Sequence, residues 1–450
     1  MEMKGQNIVI VGSGVSGIGA IELLMGMDAN IYLYDSNAKL TEEQIRNKFN
    51  HDADVEIIIG DMPAWLVEKA DLLVISPGVP IDSPVVLQYK EAGVPVWGEI
   101  ELAYNFEKGK VFAITGTNGK TTTTSLVGEI MKKYNKKTFV VGNIGTSYTG
   151  EVLNTSEDSI TVAEISSFQL ETIHKFKPLG TAILNITPDH LNRHYTMENY
   201  IAVKESITRN QDENGYCVLN YDDCQLKEFG QKISSPVYFS RQSVPPRGAY
   251  LENGRIKYIN NGEILDLLDV KEMHLFGNHN YENVMAAICL TINAGVPIDI
   301  ITETVKEFKG VEHRIEFVRD KDGVIYYNDS KGTNPDSSVK AIEAMSRPTI
   351  LIAGGYDKNS EYDEFIEAFD DKVKLLVLMG ATADKIKDAA LKHGFDKILK
   401  VQTLEEAVFA CRENASDGDA VLLSPACASW DMFKNFEERG DLFKKYVNML

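Results

Sequence analysis

The chain has 450 residues, of which 44% are hydrophobic and 25% charged, which excludes a wholly disordered, collagen-like or low-complexity protein. Its formal net charge of −20 at pH 7 repels a phosphate backbone, so we expect no nucleic-acid partner. Five cysteines without a CxxC pair argue against a disulfide framework and a thiolate zinc site. The first residues lack a secretory signal pattern and no run of about 18 apolar residues follows, so we expect a cytoplasmic protein with no membrane contact.

Short apolar runs alternate with helix-like stretches along most of the chain, which predicts βαβ units and mostly parallel sheets. The predicted strands fall into three series: 7–11, 30–34, 55–59, 72–76 and 94–97; then 111–115, 138–141, 161–165, 182–186, 217–220 and 237–240; and finally 324–328, 349–353, 374–379, 398–401 and 420–423. Two further short strands around the Asn-Gly turns at 253–254 and 261–262 predict a small β appendage, and a helix is predicted over 280–294.

The predicted fold class is therefore α/β with three domains. A Rossmann-like domain covers residues 1–98, and a central P-loop ATPase-type domain that carries the β appendage covers 99–310. A C-terminal Rossmann-like domain covers 311–450. We expect a monomer, because the sequence contains no long apolar stripe and no coiled-coil heptads.

The first predicted strand leads into the glycine-rich segment Gly12-Ser13-Gly14-Val15-Ser16-Gly17, which precedes a helix. Glycines at this spacing let backbone N–H groups approach a diphosphate at the helix N-terminus. Asp35 ends the second strand and can accept a hydrogen bond from a ribose hydroxyl. The pattern predicts a site for NAD or another ribose diphosphate, and a purely structural glycine turn is the alternative. Gly78, which follows the fourth strand, is predicted to line the same crevice.

A second glycine-rich loop, Gly116-Thr117-Asn118-Gly119-Lys120-Thr121-Thr122, joins the strand at 111–115 to a helix. The backbone of such a loop cradles phosphates, Lys120 neutralises charge on the β- and γ-phosphate oxygens, and the Thr121 hydroxyl is a ligand for Mg²⁺. The loop is shorter than the common GxxxxGK[ST] pattern, because Ile114 stands where that spacing requires a glycine. We predict a nucleoside triphosphate site at this loop.

Glu164 lies at the end of one predicted strand of the central domain, and His190 follows the next one. Open α/β sheets bind ligands at the carboxyl ends of their strands, so both side chains are predicted to meet the phosphate loop at an Mg²⁺-nucleotide site. For either residue alone, a helix cap or a solvated side chain is the alternative. Lys204 lies inside a predicted helix over 197–207, where a single lysine is usually solvated.

Three polar segments in the later half of the chain are also candidate sites. Asn280 and Asn283 lie one turn apart near the start of a helix and can bracket a purine or ribose, with ordinary capping as the alternative. His313-Arg314, the segment 328–334 and the segment 354–358 place cations near strand ends, where they can meet phosphates or a carboxylate. Cys427 follows the last strand without a visible base partner and is interpreted as a packed small residue.

The motifs TGTNGKTTTT, EISSFQLE, Asp189-His190, GNHNYENVMAA, HRIE, NDSKGTN and SPACASWDMFKNFEERG occur in this order. Together they resemble the Mur ligases of peptidoglycan synthesis over the whole chain. Within that family, the opening and the ending are similar to those of members that add D-glutamate to UDP-N-acetylmuramoyl-L-alanine. The resemblance implies a cytoplasmic enzyme of cell wall biogenesis in which ATP phosphorylates the alanyl carboxylate and the amine of D-glutamate attacks the acyl phosphate.

The resemblance also implies a role for each matching residue. The uracil, ribose and diphosphate of the substrate would contact Gly14, Val15, Ser16, Asp35, Ser36 and Gly78, although Asn37 replaces a basic residue sometimes found in the family after Ser36. ATP would contact residues 116–122, Asn280, Asn283, Arg314, Asp329 and Lys331. Two Mg²⁺ ions would be held by Thr121, Glu164, His190 and a carbamylated Lys204. Asn143 would contact the substrate, and D-glutamate would contact Thr333, Lys358, Ser429, the Trp430 backbone and Phe436.

Several alternative functions remain open at this point. Within the enzymes, a sister ligase would add L-alanine to UDP-N-acetylmuramate, and the folylpolyglutamate synthases share the short phosphate loop but are not expected to open with a Rossmann-like segment. An NAD-dependent oxidoreductase would use Gly12 to Gly17 and Asp35 but would leave the second glycine loop unexplained. A nucleotide-gated regulatory module without synthesis is the remaining alternative.

Overall fold

The computed structural model of the chain describes residues 3–49, 54–144, 146–357 and 360–450, without the side chains of Asn192 and Asp336. These residues form two compact units. The first unit comprises Met1–Glu272 and Asn280–Lys306, and the second comprises Met273–His279 and Glu307–Leu450. No helix of the described ranges combines the length and the apolar character that crossing a membrane requires.

The first sheet confirms the predicted N-terminal series of strands. In the described part of this region the strands are β1 Asn7–Val11, β2 Asn30–Asp35, β3 Val55–Ile59, β4 Leu72–Ile75 and β5 Val96–Gly98. They pair in parallel in the order β3-β2-β1-β4-β5. The connecting helices are α1 Val15–Leu24, α2 Glu42–Arg46, α3 Ala64–Lys69, α4 Pro84–Glu91 and α5 Glu99–Tyr104. Because helices cover the sheet, β1 and β4 are continuous apolar runs rather than alternating ones.

The second sheet also belongs to the first unit. Its strands within the described ranges are β6 Lys110–Thr115, β7 Thr138–Gly142, β8 Ile160–Glu164, β9 Gly180–Ile183, β10 Tyr216–Asn220, β11 Pro236–Ser240, β12 Gly248–Glu252, β13 Arg255–Asn260 and β14 Glu263–Asp269. The order is β14-β13-β12-β11-β10-β9-β6-β8-β7. The helices that follow are α6 Lys120–Tyr134, α7 Tyr148–Glu151, α8 Ser167–Leu170, α9 Leu191–His194, α10 Met197–Glu205, α11 Cys224–Phe229, α12 Asn278–Asn293 and α13 Ile298–Glu307.

Two predictions for this sheet are wrong. The predicted pair of appendage strands is a set of three, β12 to β14, because two Asn-Gly turns connect three antiparallel strands. These strands continue the main sheet, since β12 pairs in parallel with β11. In addition, β9 ends at Ile183 rather than Ile186, so that Asn185 and Ile186 lie in the following loop.

The third sheet lies in the second unit and has the order β15-β16-β20-β17-β18-β19. Its strands in the part of the chain that the structure describes are β15 Glu316–Lys321, β16 Val324–Asn328, β17 Thr349–Ala353, β18 Val373–Leu378, β19 Ile398–Lys400 and β20 Ala420–Leu423. The helices are α14 Pro335–Ala344, α15 Asp363–Glu367, α16 Ala383–Lys392, α17 Leu404–Asn414 and α18 Phe436–Met449. The antiparallel edge strand β15 was not predicted, because its charged sequence EFVRDK is typical of an edge and lacks an apolar run.

Candidate active site

The N-terminal glycine loop connects β1 to α1 through a conformation that requires glycine. Gly12 has a φ of +100°, in the left-handed region that other residues rarely adopt. A Cβ added at Gly17 would lie 1.9 Å from the carbonyl oxygen of Gly12, so only glycine lets the helix approach the turn this closely. Val15 is 83% exposed at the start of α1, and Gly14, Ser36 and Gly78 are also exposed at this edge of the sheet.

Asp35 holds this loop closed. Its Oδ2 accepts hydrogen bonds from the backbone N–H of Ser13 at 3.0 Å and from the Ser13 hydroxyl at 2.6 Å. The Lys48 ammonium donates to the Ser13 carbonyl oxygen at 2.8 Å. Burial acts to raise the pKa of Asp35, but the hydrogen bonds from Ser13 and Asn37 outweigh it, and the net pKa is lowered. Contact between Asp35 and a ribose stays a prediction.

The second glycine loop, between β6 and α6, carries a lysine that folds back over it. Gly119 has a φ of +84° at the N-cap of α6, and Lys120 is the first helical residue. The Lys120 ammonium donates to the carbonyl oxygens of Gly116 and Thr117, both at 2.9 Å. Thr121 is half-buried and Thr122 is buried beside it. A cation is therefore held at the helix N-terminus where a phosphate chain would be bound.

Asn185 braces this loop from the segment that follows the neighbouring strand β9. Its side-chain amide accepts from the Asn118 N–H at 2.8 Å and donates to the Asn118 carbonyl oxygen at 3.1 Å. Its own carbonyl oxygen accepts from the Thr117 N–H at 2.9 Å. Asn185 was not identified from the sequence, because the pattern predicts a strand through this residue. An amide just before Thr187 and Asp189-His190 is the signal that could have identified it.

Glu164 ends β8, next to β6, and is 1% exposed. Its Oε1 accepts from the Asn143 side-chain amide at 2.8 Å. Its Oε2 is buried and has no hydrogen-bond partner among the described residues. A buried carboxylate oxygen without a partner is costly unless a cation neutralises it, so this donor suits a divalent metal ion. Asn143, predicted as a substrate contact, orients Glu164 in this structure.

Lys204 lies in α10 and is not the solvated lysine that its residue type and helix position suggest. Its side chain is 1% exposed and its ammonium donates to the Gly116 carbonyl oxygen at 2.8 Å. The same nitrogen lies 4.7 Å from the centroid of the Tyr200 ring. Burial, and then the positive charge of Lys120, lower the pKa of Lys204 well below its usual range. The share of the neutral amine, which is the nucleophilic form, is thereby increased.

His190 and Asp189 form an exposed corner after β9. His190 has a φ of +53°, an uncommon conformation for a residue with a side chain. Its backbone N–H donates to Asp189 Oδ1 at 2.8 Å, and its Nε2 lies 3.3 Å from Asp189 Oδ2. The imidazole also contacts Phe168, with ring centroids 4.9 Å apart. Two potential metal ligands thus share one corner of the sheet edge.

Helix α12 brings a buried amide to the phosphate loop. A Cβ added at Gly119 would lie 2.1 Å from Asn283 Oδ1, which shows how closely this amide packs against the loop. The Asn283 amide donates to Asn280 Oδ1 at 3.4 Å, and both side chains are buried. Pure N-terminal capping does not explain a side chain buried against another segment. The first unit therefore brings together the loop, Lys204 and Asn283 at one sheet edge.

In the second unit, Asp329 follows β16 and is fully buried. Its Oδ2 accepts from the Ser424 hydroxyl at 2.7 Å, and its Oδ1 lies 3.7 Å from Arg314 Nη1. Burial raises the pKa of Asp329 to about 6, and Arg314 acts against this shift. The Lys331 ammonium lies 5.8 Å from the centroid of the Phe436 ring. The structure thus joins residues that lie more than 100 positions apart in the sequence.

Arg439, in α18, organises the same edge and was missed in the sequence analysis. It is fully buried and donates to the Ser330 hydroxyl at 2.9 Å, to the Ser330 carbonyl oxygen at 2.8 Å and to the Cys427 carbonyl oxygen at 3.1 Å. Burial lowers the pKa of Arg439 to about 10, so it stays protonated at neutral pH. An arginine three residues after the start of α18 was the only sequence signal, and surface helices commonly carry one.

The remaining predicted pocket residues lie around this edge. Ser429 is buried, whereas Trp430 is 62% exposed and its ring centroid lies 5.4 Å from that of Tyr356. Thr333 follows Lys331 in the loop after β16, and its backbone N–H donates to the Lys331 carbonyl oxygen at 2.9 Å. Lys358 lies outside the described residues. Cys427 is buried with a pKa raised by burial, which confirms its interpretation as a packed residue.

Three family models match the chain. They describe a Mur ligase MurD-like N-terminal domain at residues 6–98, a Mur ligase middle domain at 114–291 and a Mur ligase glutamate ligase domain at 313–427. The chain belongs to the Mur ligase family. Its curated relatives include a UDP-N-acetylmuramoylalanine--D-glutamate ligase from Lachnospira eligens, 60% identical over the full length of both chains. A protein of the same name from Clostridioides difficile is 47% identical, again over the full length of both.

Solved structures of other Mur ligases share the fold at low identity. The UDP-N-acetylmuramate-alanine ligase MurC from Thermotoga maritima has a TM-score of 0.60 at 20% identity, covering 98% of this chain and 99% of that one. The MurF ligase from Thermotoga maritima, solved in complex with ADP, has a TM-score of 0.59 at 18% identity, covering 100% and 96%. The three-sheet α/β fold of this Mur ligase is therefore that of its family.

Proposed function

We propose that this Mur ligase joins D-glutamate to UDP-N-acetylmuramoyl-L-alanine in an ATP-dependent reaction of cytoplasmic peptidoglycan precursor synthesis. The observation that carries the substrate assignment is the 60% identity, over the full length of both chains, with a relative named for this reaction. The phosphate loop with Lys120 supports the use of ATP, since it places an ammonium among backbone groups suited to phosphates.

The reaction brings two anions together, the alanyl carboxylate and the γ-phosphate. The carboxylate attacks phosphorus, the bond to the β-phosphate oxygen breaks, and ADP leaves while an acyl phosphate forms. The D-glutamate amine then attacks the acyl carbon, and the tetrahedral intermediate expels phosphate with loss of the amine proton. Lys120 stabilises the charge on the transferring phosphoryl group, and residues 116–122 with Asn280 and Asn283 bind the nucleotide.

Mg²⁺ suits this site because Glu164 presents a buried carboxylate oxygen without a hydrogen-bond partner among the described residues. We assign Thr121, Glu164, His190 and Lys204 as the ligands of two Mg²⁺ ions. When bound, the ions neutralise phosphate charge and orient the phosphate oxygens. Asn143 holds Glu164 Oε1 and so directs the other oxygen toward the site.

Lys204 is proposed to act as a carbamate. Its lowered pKa increases the share of the neutral, nucleophilic amine, which can add to CO₂ with loss of a proton. The product carries an anionic oxygen where an ammonium would repel a metal ion. Burial of Lys204 beside the Gly116 carbonyl oxygen supports this role, because a lysine without a role in the site would be exposed to solvent.

The remaining contacts are assigned to residues of the second unit. Arg314, Asp329 and Lys331 are assigned to ATP, and Thr333, Lys358, Ser429, the Trp430 backbone and Phe436 to D-glutamate. The UDP end of the substrate is assigned to Gly14, Val15, Ser16, Asp35, Ser36 and Gly78. The proposed domains are 1–98 for the UDP-substrate, 99–310 for ATP and 311–450 for the amino acid. The proposed enzyme is a monomer with small-molecule substrates and neither nucleic-acid nor membrane partners.

The test is phosphate release from ATP and Mg²⁺ with UDP-N-acetylmuramoyl-L-alanine or UDP-N-acetylmuramate, each in the presence of D-glutamate, L-glutamate, L-alanine or no amino acid. The expected result is release only with D-glutamate on the alanyl substrate, and a product whose mass is larger by one glutamyl residue. Release with L-alanine on UDP-N-acetylmuramate would identify a sister ligase instead. Phosphate release at the same rate with and without an amino acid would contradict a ligase of any kind.

A further inference from the structure

A largely buried arginine, Arg193, ties together three segments of the first unit. Its Nη2 donates to Glu171 Oε2 at 2.6 Å and to the Val79 carbonyl oxygen at 2.9 Å, and its Nε donates to Glu171 Oε1 at 3.3 Å. The Arg193 side chain is 11% exposed and that of Glu171 is 4% exposed. A forked pair of this kind is directional and fixes the guanidinium plane. Val79 is thus held by a side chain from a distant segment.

Each of the three segments leads to a different part of the proposed site. Val79 follows Gly78 in the loop between β4 and α4, residues 76–83, which is called the substrate loop because Gly78 is assigned to the UDP-substrate. Arg193 lies in α9, which starts directly after His190. Glu171 is the C-cap residue of α8, the helix that follows Glu164 in the chain. The guanidinium is therefore a junction between the substrate loop and the two segments that carry the proposed metal ligands.

The same junction also packs against the His190 side chain. The Arg193 guanidinium carbon lies 5.0 Å from the centroid of the Phe168 ring, and this ring lies 4.9 Å from that of His190. Phe168 therefore contacts both the guanidinium and the imidazole. A movement of the substrate loop that displaced Arg193 would be transmitted to His190 through packed groups.

A second contact joins the same two segments on the outside. The Tyr195 hydroxyl donates to Asp82 Oδ2, although the Tyr195 side chain is 67% exposed. Asp82 lies in the same loop as Val79, and Tyr195 follows Arg193 by two residues. Two hydrogen bonds between the same pair of segments define their relative position better than one does.

We infer that Arg193 is a positioning residue, which aligns the loop that binds the UDP-substrate with the metal corner at His190. The inference rests on the proposed function and adds a part of the machinery to it. The carboxylate of a substrate held by the N-terminal sheet must reach a phosphate held by the second sheet. Displacement of the carboxylate from the phosphate by about 1 Å lowers the rate by about 10²-fold, so the connection between the two sheets controls turnover.

The test compares Arg193→Lys with Arg209→Lys in the full-length enzyme. Lysine keeps the charge at position 193 but cannot bind Glu171 and Val79 as a planar fork. We expect Arg193→Lys to lower kcat by about 10- to 100-fold and to raise KM for the UDP-substrate, with unchanged affinity for a fluorescent ATP analogue. Arg209 is exposed and donates to the Ile173 carbonyl oxygen at 3.4 Å, without a bond to the substrate loop, so Arg209→Lys should retain wild-type kinetics.

Unchanged kcat and KM in folded Arg193→Lys would overturn the inference, as would an equal loss of ATP affinity. If Arg193→Lys fails to fold, Tyr195→Phe decides, because it removes one hydroxyl from an exposed ring. We expect Tyr195→Phe to raise KM for the UDP-substrate by about 2- to 5-fold at unchanged ATP affinity, and wild-type KM would contradict the inference. Failure of the proposed function is separate, because it would appear in the wild type as absent D-glutamate-dependent turnover.

Discussion

The two glycine loops of the first unit share one local design and have opposite electrostatics. In both, a buried parallel strand ends in a glycine with positive φ and a helix begins within a few residues. At the first loop, the Asp35 carboxylate accepts from Ser13. At the second, the Lys120 ammonium and the side-chain nitrogen of Lys204 both donate to the Gly116 carbonyl oxygen. Backbone shape therefore predicts a phosphate site at either loop, and the side chains brought by other elements decide which loop holds the triphosphate.

The largest expected effect in this comparison comes from Lys120→Ala. Removal of the ammonium leaves the transferring phosphoryl group without its positioned cation, so we expect kcat to fall by about 10³-fold. Phosphate release under saturating ATP, UDP-substrate and D-glutamate measures it. Lys132→Ala, an exposed lysine at the other end of α6, is the matched control and should be neutral. A kcat within a few-fold of wild type would remove Lys120 from the mechanism.

Replacement of Lys204 by alanine tests whether this side chain supplies an anionic oxygen to the site. We expect Lys204→Ala to lower turnover by about 10²-fold or more, and short-chain carboxylates to restore part of it by supplying the lost anionic oxygen. Bicarbonate carries a similar anionic oxygen and should also restore part of the rate. Activity is measured against increasing acetate or propionate, with chloride at equal ionic strength as the control. An unaltered rate in Lys204→Ala would exclude the carbamate.

The stability of a Lys204→Met variant tests the same burial without catalysis. A group whose pKa is lower in the folded chain binds protons more readily when unfolded, so its contribution to stability increases as the pH rises toward its unfolded pKa. An apolar side chain of similar length removes that cost at neutral pH. We expect Tm at pH 7 in CO₂-free buffer to rise by about 2–4 °C. A fall in Tm would show that the Gly116 hydrogen bond outweighs the desolvation of the amine.

At the first loop, Asp35→Asn is expected to act on the UDP-substrate alone. The amide oxygen can still accept both Ser13 hydrogen bonds, but the amide nitrogen cannot accept from the Asn37 N–H and the charge that attracts Lys48 is lost, so the loop is held less tightly. We expect KM for UDP-N-acetylmuramoyl-L-alanine to rise by about 10-fold and KM for ATP to stay constant. Asp54→Asn removes an exposed carboxylate from the same sheet region and serves as the control. Equal effects on both substrates would contradict the division between the loops.

The smallest effect is expected from Ser13→Ala. Loss of its hydroxyl removes one hydrogen bond that lowers the pKa of Asp35, so that pKa should rise. A carboxylate with a lowered pKa stabilises the folded loop at pH values above the pKa of the unfolded chain. This stabilisation is lost as the pH falls through the pKa of the folded chain. We therefore expect affinity for the UDP-substrate to fall by about 2-fold at pH 7 and to be lost at a higher pH than in the wild type. Titration calorimetry across acidic pH measures both, and superimposable profiles would disprove the effect.

Much of the fold was predictable because parallel strands in α/β proteins are continuous apolar runs bounded by polar turns. The strands at Asn7–Val11 and Thr349–Ala353 match their predicted bounds for this reason. The edge strand β15 was not predicted, because it carries charged residues and has no apolar pattern of its own. It is a strand because it pairs with β16. The continuity of β12 with the main sheet was also hidden, since pairing between strands is not local information.

The amino-acid sequence by itself determined the two glycine loops, the glutamate at the end of β8 and the motifs by which the chain resembles the Mur ligases. These features are local, because a strand, a turn and the start of a helix are set by neighbouring residues. Only the tertiary structure showed that Lys204 is buried against Gly116, that Asn185 braces the second glycine loop and that Arg193 joins the loop after β4 to the segment after His190. Each depends on elements distant in sequence, whose packing sets burial and hydrogen bonding, and these set the charge and position of a side chain.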